Sequence, residues 1–209
     1  MSADTVILLA EGAFLLPVAD AGEARAWVDV LRRSGRFREV VQGLDSVAVS
    51  FDPTTTEAAA IKAYLEASLA RGVPARDETQ ASELVIRVHY GGENGPDLDD
   101  VAMDAGLSRD EVVERHVAAT YRVEMLGFIP GFAYLGGLDP ALARARLAEP
   151  RRAVPAGSIG VAESFCGIYP VRGPGGWSVI GRTDKVLVDP HAEVPFMLRP
   201  GMTVRFEAA

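Results

Sequence analysis

Hydrophobic positions in the first 80 residues recur in short blocks that favour alternating strands and helices. VILLA (residues 6–10) is a short apolar run of strand length. Asp20 followed three residues later by Glu23 resembles a capping box. The helix it opens carries Ala26, Trp27, Val30 and Leu31 on its apolar side and ends at Gly35. FREVVQ and SVAVSFD read as strands, the second with Val47, Val49 and Phe51 on one face. Thr54 with Glu57 predicts the cap of a second amphipathic helix, which runs to Gly72. The order β-α-β-β-α, closed by one more strand, implies a small α/β sandwich of split-βαβ type over residues 1–80. Residues 73–82 are polar and contain proline, as a linker does.

The pattern changes beyond the linker. ELVIRVHY is a strand with Leu84, Ile86 and Val88 on one side. Two short helices follow, the first capped by Asp97 and the second by the Ser108–Glu111 box. TYRVEML returns to strand, and SIGVA, GIYPV, WSVIG, KVLVD and TVRF follow as short apolar runs between Gly/Pro turns. Closely spaced short strands predict a β-barrel or sandwich over residues 81–209, so the chain reads as α+β in two domains. In GPGGW, Pro174 and Gly175 suit the central positions of a type II turn. One stretch, GFIPGFAYLGGLD (residues 127–139), fits no regular element. Its rings want burial, while its four glycines and one proline argue against helix or central strand.

The formal net charge of −8 argues against nucleic acid and anionic membrane as partners. Arg144, Arg146, Arg151 and Arg152 stand out against it. A solvated loop is the ordinary reading of such a run, and an anion clamp is the alternative. With one cysteine no intramolecular disulfide forms, and neither a leader nor an 18-residue apolar span is evident, which predicts a cytoplasmic chain.

Familiar chemical motifs mostly fail on context. His89, His116 and His191 are scattered without partners at metal-ligand spacing, so no metal is expected. GGENGPDLDD lacks the distal glutamate of a calcium loop. AGSIG approximates a nucleophile elbow around Ser158, but the glycines that follow preclude the helix which that elbow requires. Cys166 reads first as a small buried hydrophobe, with partial exposure as the alternative. The glycine-and-ring stretch either walls a cavity or plugs a barrel with Phe128 and Phe132, while Tyr134 has a polar tip suited to a wetter place.

YGGENGPDLDDVA, the segment from His116 to Tyr121, MLGFIPGFAYLGGLD, VPAGSIGVA, GIYP, PGGW and IGRT resemble, in that order, the B-subunit family of bacterial ATP-dependent 5-oxoprolinase. That family has also carried the labels allophanate hydrolase subunit 1 and sporulation-kinase inhibitor, and it is similar to subdomains C and D of the carboxyltransferase part of urea carboxylase. The resemblance implies a small α/β domain followed by a cyclophilin-like β-barrel. It implies a non-autonomous subunit working with a larger homologue of the 5-oxoprolinase C subunit and a third subunit, and ATP-driven opening of the 5-oxoproline lactam, or hydrolysis of a urea-type substrate. On the matching motifs, it casts Arg182 as a donor to developing negative charge and His116 as a proton carrier. Tyr90, Phe132, Tyr134, Cys166 and Tyr169 become the wall of a substrate site. Two positions depart from the family pattern: Phe165-Cys166 stands where Gln-Thr is usual, and Gly173 replaces the serine of SPGGW. The first removes two hydrogen-bonding side chains from that wall. It favours the alternative, a regulatory protein that docks on a sensor histidine kinase. A prolyl isomerase would rest on fold analogy alone.

Overall fold

The computed structural model describes residues 6–74 and 82–209. The chain divides into two compact units, Met1–Thr79 and Gln80–Ala209. Most of the 73–82 segment read as a linker lies outside the described residues.

The first unit is a four-stranded antiparallel sheet with two helices. Its strands are β1 (Ile7–Ala10), β2 (Ala13–Pro17), β3 (Glu39–Gln42) and β4 (Ser46–Ser50), in the order β1-β2-β4-β3. The expected split-βαβ arrangement is present, because β4 lies antiparallel between β2 and β3. Its first strand is nevertheless β2, and the VILLA run is an added edge strand. AFLLP escapes a pattern reading because the run is apolar throughout and shows no alternation, although only Phe14 and Leu16 are fully buried.

Helix α1 (Ala21–Arg33) starts where Asp20 accepts the Glu23 backbone N–H at 2.8 Å and stops at Gly35, whose φ of 64° is left-handed. Helix α2 (Ala58–Leu69) starts later than Thr54 suggests. Thr54 Oγ1 donates instead to Asp52 at 2.6 Å, and Glu57 occupies the cap position without a side-chain bond. Trp27, Leu31, Ile61 and Leu65 pack with Phe14, Val47, Val49 and Phe51 to form this unit's core.

The second unit is a closed barrel. Its strands are β5 (Glu83–Tyr90), β6 (Tyr121–Leu126), β7 (Ala133–Gly136), β9 (Ser158–Ala162), β10 (Phe165–Ile168), β12 (Ser178–Arg182) and β13 (Thr203–Ala208). They close in the order β10-β7-β6-β13-β5-β12-β9. Only β13 and β5 run parallel, pairing Thr203 with Glu83 through Ala208 with Val88. Closure removes free edges, so every strand has two neighbours. Helices α3 (Leu98–Ala105) and α4 (Arg109–Ala118) intervene between β5 and β6, and β8 (Arg151–Val154) pairs with β11 (Gly173–Gly175) as a separate ribbon. Ile86, Val88, Val123, Leu135, Ile168 and Val204, all wholly buried, fill the barrel with His116.

Three local expectations are corrected. KVLVD forms no strand; only an isolated bridge joins Val188 to Phe196, since the closed barrel offers no edge, and Leu187 is buried as a single apolar anchor. GPGGW makes no type II turn: Gly175 does not adopt the positive φ that this turn needs, and residues 173–175 pair with β8. Asp97 stands at the α3 cap position but makes no capping bond, because its carboxylate is engaged elsewhere. The Ser108–Glu111 box is present, with Ser108 N–H donating to the Glu111 carboxylate at 2.7 Å.

Candidate functional site

The glycine-and-ring stretch is half loop and half strand. Residues 133–136 form β7, with Ala133 and Leu135 facing the barrel core and Tyr134 facing outward. Phe132 is buried and anchors a cluster of rings. Phe128, Tyr134, Tyr169 and Trp177 surround it at centroid distances of 5.6, 5.2, 5.1 and 5.3 Å, all close to edge-on. Two glycines make room for that cluster. A Cβ on Gly167 would come within 2.7 Å of both Phe132 and Trp177, and one on Gly160 would come within 3.0 Å of Trp177.

These rings line a cavity of about 240 Å3, together with Arg146, Leu147, Pro150 and residues 174–176. Phe128 stands at its rim, 59% exposed, with a left-handed φ of 71° that is unusual for a bulky residue. The two readings of the aromatic stretch are thus both partly met: Phe132 is core and cavity wall at once, whereas Phe128 plugs nothing. Tyr169 abuts Gly175, and burial raises its phenol above the ordinary range.

Of the arginine cluster only Arg146 lines the cavity, and three of its four members are clasped by carboxylates where a solvated loop is the ordinary expectation. Arg144 pairs with Asp104 at 2.9 Å, Arg146 with Glu163 at 3.1 Å and Arg151 with Asp97 at 2.5 Å. Asp97, which is 4% exposed, also accepts the Val179 N–H at 2.6 Å, so α3, the arginine segment and β12 meet at one carboxylate. The Glu163 N–H donates to the Arg144 carbonyl at 2.5 Å, and the Leu147 N–H to the Gly176 carbonyl at 2.7 Å. The segment is thereby fixed between the β9–β10 hairpin and the glycine pair before Trp177.

The remaining site residues suggested by the sequence lie elsewhere. His116, from α4, is wholly buried inside the barrel, 4.6 Å from the Phe206 ring and 5.2 Å from Tyr121. Tyr90 Oη lies 2.8 Å from its Nδ1, and Cys166 Sγ lies 3.4 Å from its Nε2. A neutral imidazole donates through one nitrogen and accepts through the other, which matches two such neighbours. Burial drives the His116 pKa down to about 3 and pushes the Cys166 thiol upward. Neither residue reaches the aromatic cavity. Arg182 is exposed at the end of β12, its Nε donating to the Ala156 carbonyl at 3.1 Å, and it is absent from the cavity wall. The structure therefore joins Phe132, Tyr134 and Tyr169 in one place, Tyr90, His116 and Cys166 in another, and sets Arg182 apart from both.

Leu147 and Pro150 are cavity residues that no motif singles out, and Arg146 and Trp177 enter the sequence reading only within the arginine run and PGGW. The arginine run was the available signal, but its pairing with distant carboxylates is invisible in one dimension. Ser158 is buried at the start of β9 and its carbonyl accepts the Tyr169 N–H at 2.9 Å, so a strand follows it where an elbow requires a helix. Among the described residues, no group of three or more His, Cys, Asp or Glu side chains could hold a metal ion. No helix among them is long and apolar enough to cross a membrane.

Residues 3–198 match the family described as carboxyltransferase domain, subdomain C and D. The chain is 50% identical over 129 residues to the 5-oxoprolinase B subunit of Escherichia coli O157:H7, a match covering 62% of this chain and 59% of that protein. It is 38% identical over 174 residues to the 5-oxoprolinase B subunit of Haemophilus influenzae, covering 80% of this chain and 78% of that one. A conserved uncharacterized protein from Pyrococcus horikoshii superposes with a TM-score of 0.59 at 35% identity, covering 98% and 97% of the two chains. The match thus spans about three-fifths of the E. coli relative's length. With its barrel, its ring-lined cavity and this match over most of its length, the chain belongs to the carboxyltransferase subdomain C and D family, which it shares with the 5-oxoprolinase B subunits.

Proposed function

We propose that this chain is a non-autonomous subunit of a cytoplasmic, ATP-dependent amide hydrolase that opens 5-oxoproline to glutamate. It would act with a larger homologue of the 5-oxoprolinase C subunit and with a third subunit. The observation that carries this reading is the composition of the cavity wall in a chain 50% identical over 129 residues to a 5-oxoprolinase B subunit. Five of its lining side chains are Phe128, Phe132, Tyr134, Tyr169 and Trp177, and the wall contains no carboxylate, imidazole or amine. Such a wall can hold a small flat ring and exclude water from it, but beyond the single guanidinium of Arg146 it carries no charged group and no general base. The missing chemistry must come from another polypeptide.

The division of labour follows from the reaction. A lactam carbonyl resists water, and phosphorylation of its oxygen by ATP makes the carbon attackable; hydrolysis then breaks the C–N bond and releases phosphate. This chain's share is to bind and desolvate the ring, with the Tyr134 and Tyr169 hydroxyls as donors at its edge. Burial keeps the Tyr169 phenol protonated, which preserves it as a donor at neutral pH. Coexpression with the two partner subunits, followed by measurement of ADP release, tests the proposal. ADP release should depend on 5-oxoproline, and an assembled complex with no lactam-dependent turnover defeats the reading.

A further inference from the structure

We infer that Arg146 is the specificity-determining residue of the aromatic cavity, and that it reads the carboxylate of a small cyclic amide. This deepens the proposed function and rests on it. Arg146 is the one charged side chain in the cavity wall. The other walls are rings, prolines, glycines and a leucine, so the charge at Arg146 sets which ligands the cavity takes. At about 240 Å3 the space lies below the roughly 300–1,000 Å3 of drug-sized sites. It suits a five- or six-membered ring with one small anionic substituent and is short of room for a nucleoside triphosphate.

Two features show that the guanidinium is placed by the fold. Its segment is tied at both ends by backbone bonds, Glu163 N–H to Arg144 carbonyl and Leu147 N–H to Gly176 carbonyl. Glu163 adopts a left-handed φ of 53°, aiming the hairpin tip back over this segment, and its carboxylate holds Arg146 at 3.1 Å. Tyr169 shares the cavity wall with Arg146. Arg151 stands outside that wall, its Nη2 held by Asp97. A ligand carboxylate in the cavity would meet the Arg146 guanidinium and the Tyr169 phenol. Glu163 is then a positioning residue that competes with the ligand for Arg146. The pair is about half exposed on both sides, so the exchange of one carboxylate for another is accessible.

The test titrates the isolated chain with 5-oxoproline and with 2-pyrrolidinone, the same ring without its carboxylate, following the change in tryptophan emission and confirming by calorimetry. Arg146→Gln should weaken 5-oxoproline binding roughly 10- to 100-fold, as expected for loss of a charge-assisted bond, and leave 2-pyrrolidinone unchanged. Glu163→Gln, which keeps the backbone bond to Arg144, should tighten 5-oxoproline alone. ATP should give no Arg146-dependent response. The inference is overturned if the wild-type chain binds neither ring, if both rings bind alike, if Glu163→Gln weakens binding, or if only ATP responds to Arg146→Gln. Steady-state turnover of the reconstituted complex separates this inference from the reading it rests on. An active complex whose KM for 5-oxoproline is unmoved by Arg146→Gln removes the inference and leaves the function standing. An inactive complex, when the isolated chain still binds 5-oxoproline through Arg146, does the reverse.

Discussion

His116 offers the sharpest physical prediction. Its imidazole is wholly buried between Tyr90, Cys166, Tyr121 and Phe206, and burial lowers its pKa from 6.5 to about 3. In the unfolded chain the same ring titrates at its ordinary value. Between pH 6.5 and 3 the unfolded state therefore binds one more proton than the folded state at this residue. Stability from this source is fully present above pH 6.5 and is lost as pH falls toward 3. At pH 5 nearly all unfolded-state imidazoles are protonated and almost no folded ones are. Integrating the linkage relation from pH 7 to pH 5 gives a loss of about 2 kcal/mol from this one residue. Carboxylates add their own acid sensitivity, so the measurement is a difference. Urea unfolding followed by Trp177 emission in a Trp27→Phe background reports on the barrel, and it should be run from pH 7 to 5 with His116 and with His116→Phe. Phenylalanine keeps the contact with Phe206 but leaves Tyr90 and Cys166 without their imidazole, lowering stability at every pH by roughly 1–3 kcal/mol. The slope is what decides: the variant should lose about 2 kcal/mol less than the wild type across this range. Equal slopes, or His116 ring protons titrating near their ordinary value in the folded protein, would refute the argument.

Other outcomes follow from single contacts. Gly167→Ala drives a methyl group against Phe132 and Trp177, so it should cost roughly 1–3 kcal/mol by urea unfolding and distort the cavity enough to abolish ring binding. Asp97→Ala strips the partner from Arg151 and leaves the Val179 N–H without its acceptor. A loss of about 3 kcal/mol is expected, at the low end for a broken buried pair because Arg151 is one-third exposed; a change below about 1 kcal/mol contradicts that role. The Cys166 thiol is buried and its ionisation suppressed, so a thiol reagent should label it only as fast as the barrel opens, with the rate rising in urea in step with Trp177 exposure.

The elements that could be read in one dimension are those whose information is local. The Ser108–Glu111 box, the Asp20 cap and the alternation of Val47, Val49 and Phe51 each depend on residues within four positions of one another, and the structure contains all three. The same holds for β5 and β13, whose period-two pattern reflects a surface buried on one side. AFLLP and AYLG failed as strand signals because runs without polar alternation, or crowded by glycine, carry no period. KVLVD carried strand chemistry but found no edge to pair with.

The cavity depended on contacts across the chain. Ring-rich and glycine-rich segments announced that something would be walled, since Gly160 and Gly167 are needed wherever large rings press on a strand. Which side chains would share the wall was set by barrel closure. Closure carried Tyr169 and Trp177 to Phe132 and left His116, Cys166 and Arg182 on other faces of the same strands and helix. The arginine run shows the difference most plainly. Its charge is written in residues 144–152, but its partners at 97, 104 and 163 come from two other places in the chain. Local bonds reach a few residues and can be inferred from spacing. A guanidinium's partner is decided by which backbone the fold brings within 3 Å, and only three-dimensional packing supplies that.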